Sequence, residues 1–521
     1  MTISRLLITL LLFLSSLACA QGGTITIGIQ NQPEVLNPVL PIELNGLIVT
    51  GTLYAPLTAV NPETLTTEPY LAESWEVSDD LMTWTFNLRP EAVWHDGEPI
   101  TADDVQFTIE RIQNPEENTD THTASLQIDQ VEVVDEHTVI FQLNEPNALF
   151  ADVLSSGGWE PLPEHIFGEF ERLTDAVEFN TRTPVGSGAF QIGRIEAGSE
   201  VEVMAFDDFF FGRPSLDSII FRIVADQNAA VAQMRAGDLD WTNIEPVHLR
   251  AIDSDAQLEA FPTAGSRYVL ALINVGETWE NTLGDFLVRQ AMFHAVDREA
   301  IAERIGLGLT PVMDRVVPST LGWIPAPEVD AYEYDPERAQ QLLEEAGWTD
   351  ADGDGIREKD GETLSFYVLV DRGNVIREQI GLVLQQSWQE VGMDVDYIVS
   401  ERTGRWIEET RAGTFPVRMT SFPIPNGDWI YRIFHSNGLN NSASYVNTEV
   451  DQLLDEMLAT GSQSEQGTLA SQADALIYQD AFTLPFFLLP NLHAINTRLE
   501  GVPRGELKLA TPYAWQISVE E

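Results

Sequence analysis

Three aspartates at alternate positions match the spacing of a metal-binding loop. They are Asp350, Asp352 and Asp354. With Gly355 next in the chain, carboxylates stand at loop positions one, three and five and glycine at position six, as in a calcium loop. Position twelve holds Gly361 in place of the usual glutamate, so Asp360 would serve as a ligand only if the loop adjusted. The segment is therefore either a structural calcium clip or an acidic turn without an ion.

Motifs of the common enzyme classes are absent from the sequence. There is no G-x-S-x-G, H-E-x-x-H, P-loop or G-x-G-x-x-G pattern, and the 8 histidines are scattered without helical metal spacing. Among 82 acidic residues, a glycosidase-type carboxylate pair is neither identified nor dismissed. The sequence predicts no catalytic residue, and a secreted carboxylate-dependent hydrolase stays an alternative.

The aspartate-rich loop lies between a predicted helix and a predicted strand. Asp335 followed by proline is typical of a helix start, and Gly347 of its end. A strand at 364–370, a helix at 376–391 and a strand at 395–399 follow, which is a crossover unit with parallel strands. Two hairpins are predicted as well, at 73–88 and 131–143. The predicted fold class is α/β with antiparallel additions.

Composition limits the partners of the chain. The 521 residues contain 28 Lys and Arg against 82 Asp and Glu, so the net charge is 28 − 82 = −54. The electrostatic field of such a negative charge repels phosphate backbones and anionic lipids, which excludes nucleic-acid binding. A hydrophobic content of 44% is that of a globular chain, and the length predicts two or three domains.

Residues 1–20 have the layout of a secretory signal peptide. Arg5 precedes an apolar run that is too short to span a bilayer, and small residues follow it. The sequence Ala18-Cys19-Ala20 predicts cleavage before Gln21, whereas Leu17-Ala18-Cys19 would make Cys19 a lipid anchor. Because Cys19 is the only cysteine, disulfides and cysteine-based zinc sites are excluded.

Several short motifs follow one another in order over nearly the whole mature length. They are Tyr54-Ala-Pro-Leu57, Pro69-Tyr-Leu-Ala-Glu-Ser-Trp75, Trp94-His-Asp-Gly-Glu-Pro-Ile-Thr-Ala-Asp-Asp-Val105, Gly186-Ser-Gly-Ala-Phe190, Ala236-Gly-Asp-Leu-Asp240 and Val288-Arg-Gln-Ala291 with Ala295-Val-Asp-Arg298. Their order and spacing resemble the extracytoplasmic solute-binding proteins of peptide/nickel-type ABC transporters, the dipeptide- and oligopeptide-binding family 5. Each motif also has a structural explanation; the glycines of 186–190 would permit a tight turn and close packing.

The resemblance implies a two-lobed periplasmic-binding-protein (type II) fold with an additional small α/β domain. The implied ranges are 22–60, 185–272 and 490–521 for lobe I, 61–184 for the small domain and 273–489 for lobe II. It further implies a monomeric receptor that encloses a solute between its lobes and docks on an ABC permease. No cofactor is implied beyond the candidate calcium.

The resemblance also implies the residues that would hold the ends of a peptide. The arginine that binds a ligand carboxylate in relatives falls on or near Arg372, and Arg377 is the next candidate. The aspartate that binds the ammonium group falls in the loop 423–428, where Pro425 takes its place and Asp428 follows three residues late.

Two tryptophans near the same region would roof the pocket. The tryptophan that roofs the pocket in some relatives falls near Thr403, and Trp406 or Trp429 would replace it from a neighbouring position. The missing aspartate weighs against simple dipeptide recognition, so the favoured ligand is a peptide held through its backbone. The alternatives are an oligosaccharide stacked on these tryptophans and a sensory receptor on the same fold that has no permease.

Overall fold

The computed structural model describes residues 22–318, 321–372, 374–423, 429–438, 440–505 and 510–520. The predicted signal peptide, Cys19 and Asp428 lie outside the described residues.

The strands are β1 (Thr24–Ile29), β2 (Thr58–Val60), β3 (Thr67–Pro69), β4 (Ala72–Val77), β5 (Thr83–Leu88), β6 (Ile128–Asp135), β7 (Thr138–Leu143), β8 (Phe190–Glu196), β9 (Glu200–Ala205), β10 (Ser218–Ile223), β11 (Trp241–Ile244), β12 (Leu258–Ile273), β13 (Glu358–Lys359), β14 (Glu362–Thr363), β15 (Ser365–Asp371), β16 (Asp394–Ser400), β17 (Val417–Pro423), β18 (Thr483–Asn496), β19 (Leu499–Glu500) and β20 (Ser518–Val519).

The α-helices are α1 (Leu44–Leu53), α2 (Ala102–Gln113), α3 (His122–Ser125), α4 (Phe150–Leu154), α5 (Glu164–Phe167), α6 (Val177–Thr181), α7 (Gln227–Ala236), α8 (Leu249–Asp253), α9 (Phe286–His294), α10 (Arg298–Arg304), α11 (Pro336–Glu345), α12 (Val375–Glu390), α13 (Ile407–Ala412), α14 (Trp429–Phe434), α15 (Thr448–Ala459) and α16 (Gln463–Gln479). Among these described helices, none has the length and apolar character needed to cross a membrane.

One mixed sheet of ten strands connects the two lobes. Its strand order is β16-β15-β17-β12-β18-β11-β1-β10-β9-β8. Strands β12 and β18 are the long ones, with 16 and 14 residues, and they pair antiparallel along both lobes. Lobe I contributes β8 to β11 with β1, and lobe II contributes β15 to β17. The predicted crossover is confirmed, because β15 and β16 pair in parallel and are joined by α12.

The two lobes meet where the β12–β18 ladder is interrupted. Its register shifts between Pro262 and Ser266, and Ser266 pairs with Pro490, which has no N–H to donate. The following residues 267–273 already pair with β17 and pack into the cores of lobe II. The sheet therefore crosses between the lobes near 262–266. The domain ranges implied by the family resemblance, with a boundary between 272 and 273, stay a prediction.

The small domain is built on a four-stranded antiparallel sheet of order β4-β5-β7-β6. Both predicted hairpins are confirmed, as β4 with β5 and as β6 with β7. Trp84, Phe86 and Phe141 bury their rings between the sheet and α4. This core is continuous with that of lobe I, so the small domain and lobe I form one packed unit.

Two of the sequence motifs meet at the junction of the small domain and lobe I. Nδ1 of His95 accepts the N–H of Gly186 at 3.1 Å, and Nε2 lies 3.0 Å from the carbonyl oxygen of Gly188. A Cβ on Gly186 would lie 1.9 Å from the carbonyl oxygen of Leu53, so only glycine fits this close approach. Burial lowers the pKa of His95 to about 4, which keeps the imidazole neutral.

Candidate functional site

The parallel strands of both lobes end at the crossing region of the large sheet. Strand β17 ends at Pro423 opposite Arg267, and β15 and β16 run parallel to it. In lobe I, β11 ends at Ile244 opposite Leu492, and β1 and β10 run in the same direction. Ligands of open α/β sheets collect at the carboxyl ends of parallel strands. The topology therefore places a ligand cleft between the lobes, beside the crossing strands.

Arg372 lies at this edge of lobe II with its side chain largely in solvent. Its N–H donates to the carbonyl oxygen of Ser400 at 2.8 Å, which joins the ends of β15 and β16. Its Nε lies 2.7 Å from Oε1 of Glu401, and these side chains are 59% and 69% exposed. An ion pair this exposed contributes little stability. The guanidinium is thus accessible to a ligand carboxylate.

Arg377 lies beneath this edge, in a buried ion pair. Its Nη2 is 2.7 Å from Oδ2 of Asp371, and both side chains are less than a tenth exposed. The side chain of Asn374 caps α12 by accepting the N–H of Arg377 at 3.0 Å. The pair therefore holds the end of β15 against the start of α12. Arg377 is placed to support the loop that carries Arg372.

Trp406 and Trp429 both face the interior of lobe II. They are 6% and 4% exposed and belong to one apolar cluster with Tyr268. The guanidinium of Arg418 lies over the Trp406 ring at 4.8 Å, and Trp429 meets Tyr268 edge to face at 6.4 Å. The backbone N–H of Trp406 donates to Oγ of Ser400 at 3.3 Å. The two rings stabilise the wall behind the cleft and offer no exposed face.

The structure thus gathers most of the predicted residues around the ends of β15 and β16. Arg372, Arg377 and Trp406 follow these strands within a few residues, and Trp429 begins α14 behind them. The position of Asp428 stays a prediction, since it lies outside the described residues.

Lobe I contributes polar residues that sequence reasoning missed. Asn31, just after β1, accepts a hydrogen bond from the side chain of Asn45 at the start of α1. His248, just after β11, accepts the N–H of Glu245 at 3.2 Å, and its Nε2 lies 3.2 Å from Oδ1 of Asn228. The sequence feature that could have indicated these residues is a polar residue that follows an apolar strand. Only the sheet order shows that these loops face those of lobe II.

The three aspartates of the calcium-like loop are close together and exposed. Their carboxylate oxygens all lie within 4.8 Å of one another. Asp350 accepts the N–H groups of Gly353 and Gly355 at 2.7 and 3.1 Å. Carboxylate oxygens suit calcium, but three of them are fewer than its usual six to eight ligands. Asp360 is not in this cluster and lies in the turn between β13 and β14 with a φ of 55°.

Two adjoining cavities lie elsewhere in lobe II. They have volumes of about 940 and 460 Å³, and Ala331 and Tyr332 line both. Their remaining lining comes from the region of α9, α10 and the segment up to Tyr334, with Gln479. None of the predicted ligand residues lines them, and no strand end of the crossing region reaches them. They are separate from the cleft.

A cleft between two lobes that are joined by crossing strands is the arrangement of a solute-binding receptor. Residues 66–441 match the family model for bacterial extracellular solute-binding proteins, family 5. The oligopeptide-binding protein AppA of Bacillus subtilis is 29% identical over 492 residues, which cover 92% of this chain and 89% of that protein.

Solved structures agree with the family match. The structure of AppA from Bacillus subtilis with a nonapeptide has a TM-score of 0.80 at 26% identity, covering 96% of this chain and 99% of that one. NikA from Brucella suis in complex with Fe(III)-EDTA has a TM-score of 0.81 at 20% identity over 95% and 100% of the two chains, a likeness of fold alone.

The chain belongs to family 5 of the bacterial extracellular solute-binding proteins. It is therefore an extracytoplasmic receptor that serves an ABC permease and carries out no catalysis. The two-lobed type II fold expected from the sequence is confirmed. Family membership also removes the hydrolase alternative.

Proposed function

We propose that this receptor captures peptides in the cleft and delivers them to its permease. The observation that carries the proposal is the similarity to AppA over 92% of the chain, together with the nonapeptide bound in that relative. The exposed guanidinium of Arg372 at the cleft edge supports it, because it would bind a carboxyl terminus through charge-assisted hydrogen bonds.

The polar groups of the two cleft edges suit the backbone of a peptide. Lobe I offers the amides of Asn31 and Asn228, which are neutral donors and acceptors. Lobe II offers Arg372 and Glu401, one charge of each sign. A peptide presents the same set, with amides along its length and one charge at each end. Closure of the lobes would bury the peptide and complete both walls of contacts.

The oligosaccharide alternative depended on a tryptophan stacking platform. Trp406 and Trp429 are 6% and 4% exposed, so neither offers a ring face to a sugar in this arrangement. No specific observation favours a sugar over a peptide.

Mass spectrometry of the ligand that co-purifies with the protein tests the proposal. Protein purified without added peptide is denatured, and the released small molecules are compared with those from a mock purification. We expect a set of peptides of mixed sequence. A single sugar or other solute would keep the receptor class and overturn the peptide assignment.

We further propose that the mature protein is a monomer at the cell envelope. The layout of residues 1–20 supports export, either with cleavage before Gln21 or with a lipid on Cys19. The intact mass of the mature protein distinguishes the two, because only the second retains Cys19 with its acyl chains.

A calcium ion in the loop 350–354 is a separate proposal. The three clustered carboxylates support it, and the ion would clip the segment between α11 and β13 without taking part in solute binding.

A further inference from the structure

A leucine of the small domain packs into the core of lobe II. Leu149 is 8% exposed and belongs to an apolar cluster whose other described members all lie between 268 and 488. The next residue, Phe150, instead packs in the small domain against Trp84 and Phe141. The chain therefore turns its apolar side chains to opposite sides at this point, one toward each unit.

A backbone hydrogen bond accompanies this contact. The N–H of Ala148 donates to the carbonyl oxygen of Leu458, near the end of α15, at 2.7 Å. Leu81 of the small domain approaches the same region, since a Cβ on Gly461 would lie 3.8 Å from its Cδ2. The contact thus joins the small domain to the connection between α15 and α16.

Hydrogen bonds within the small domain fix the loop that carries Leu149. The side chain of Asn147 accepts the N–H of Leu149 at 2.9 Å and donates to Gln127 at 2.8 Å. The N–H of Asn147 donates to the carbonyl oxygen of Leu81 at 3.2 Å. Leu81 itself has a φ of 59°, a left-handed conformation that is uncommon for leucine. The loop is held rigid in the shape that presents Leu149.

The contact spans two bodies that would move relative to each other when the cleft opens. The small domain shares its core with lobe I, whereas α15 and α16 belong to lobe II. Rotation of the lobes about the crossing at 262–266 displaces α15 from the small domain, because both are packed rigidly into their own units. Opening would expose Leu149 to water and break the hydrogen bond from Ala148.

We propose that Leu149 and the Ala148–Leu458 hydrogen bond form a latch between the small domain and lobe II that stabilises the closed receptor and slows solute release. The inference about release rests on the proposed function; the inference about closure does not. A latch made only in the closed state raises apparent affinity by increasing the closed population.

The test compares Leu149→Ala with Leu126→Ala, which truncates a leucine of the same domain that is 54% exposed. Small-angle scattering of the ligand-free proteins gives the radius of gyration. Stopped-flow release of a fluorescently labelled nonapeptide gives the dissociation rate. We expect Leu149→Ala to have a larger radius and roughly 10- to 150-fold faster release, as the loss of a buried leucine side chain implies. Leu126→Ala should match the wild type in both.

A second variant covers the case in which Leu149→Ala fails to fold. Gly461→Arg places a large side chain against Leu81 from the exposed surface of lobe II and leaves both cores unchanged. It should open the receptor in the same way. Radii and release rates equal to those of the wild type in the folded variants would overturn the latch. If the wild type binds no peptide, the proposed function fails while the ligand-free radii still decide the latch.

Discussion

The two arginines at the end of β15 are expected to respond in opposite ways to truncation. In Arg372→Ala, the loss is an ion pair with Glu401 whose partners are 59% and 69% exposed. Such pairs contribute at most about 1 kcal/mol, so the free energy of unfolding should hardly change. In Arg377→Ala, Asp371 is left as a buried carboxylate without its partner, which costs about 3–5 kcal/mol.

The affinity for peptide should depend directly on Arg372 and only indirectly on Arg377. A charge-assisted hydrogen bond to a ligand carboxylate is worth about 1.5–3 kcal/mol, so Arg372→Ala should weaken binding by roughly 10- to 150-fold. Arg377→Ala should weaken binding only as far as the loop before α12 is disturbed. Calorimetry with a peptide carrying a free carboxyl terminus measures the first effect, and urea unfolding measures the stability change in both variants.

A carboxyl-amidated version of the same peptide completes a double-mutant cycle. Wild type should prefer the free carboxyl terminus, and Arg372→Ala should bind the two peptides equally. Arg338→Ala is the matched control, since its ion pair with Glu345 at 2.9 Å is similarly exposed but lies on α11, away from the cleft. Equal preference for the two peptides in wild type, or unchanged affinity in Arg372→Ala, would refute the assignment.

Three further predictions concern packing, pH and metal. Gly186→Ala should destabilise the protein by about 1–3 kcal/mol or more in urea unfolding, because its Cβ would meet a carbonyl oxygen at 1.9 Å. Gly322→Ala is the control and should stay near wild type, because the space around Gly322 is open. Similar stabilities of the two variants would contradict the packing argument. Burial lowers the pKa of His95 to about 4 and that of His493 to about 3, below the usual value of about 6.5. At a pH between the folded and the unfolded pKa, each imidazole is protonated in the unfolded chain but not in the folded one. The free energy of unfolding therefore falls as pH drops below 6.5, by about 2 kcal/mol per histidine at pH 5. His95→Gln should flatten the pH dependence of the urea midpoint, and an unchanged slope would show that His95 is not its source. Calcium should raise the melting temperature of the wild type but not of Asp352→Asn, and equal responses to calcium would exclude the loop as the binding site.

Local patterns in the sequence predicted the secondary structure and the family. The helix start at Asp335, its end at Gly347 and the crossover from β15 through α12 to β16 are all found in the structure. They depend on capping and hydrophobic periodicity within short windows, where the residues that interact are neighbours in sequence. The ordered motifs indicated the family because they build its fold.

The sequence indicated the region of the candidate site, but it did not indicate which candidate side chains are exposed to a ligand and which are buried. Arg372 and Arg377 are five residues apart, and the sequence made Arg372 the first candidate and Arg377 the second; only the structure shows that one is exposed and the other is buried against Asp371. Trp406 and Trp429 looked like stacking surfaces, and the structure turns both into the interior. Residue type does not predict which side of a loop a side chain takes, because that is decided by what packs against it.

Contacts between distant parts of the chain were decided by tertiary structure alone. Pairing of β12 with β18 sets the crossing at 262–266, the sheet order brings Asn31 and His248 to the cleft, and Leu149 reaches the core of lobe II. Each joins residues that are far apart in the sequence, so no local period or motif records it. Composition and short-range patterns thus determined which elements form and to which family the chain belongs. The long-range packing of those elements decided which side chains can touch a solute, because burial and ion pairing depend on neighbours that only the folded chain brings together.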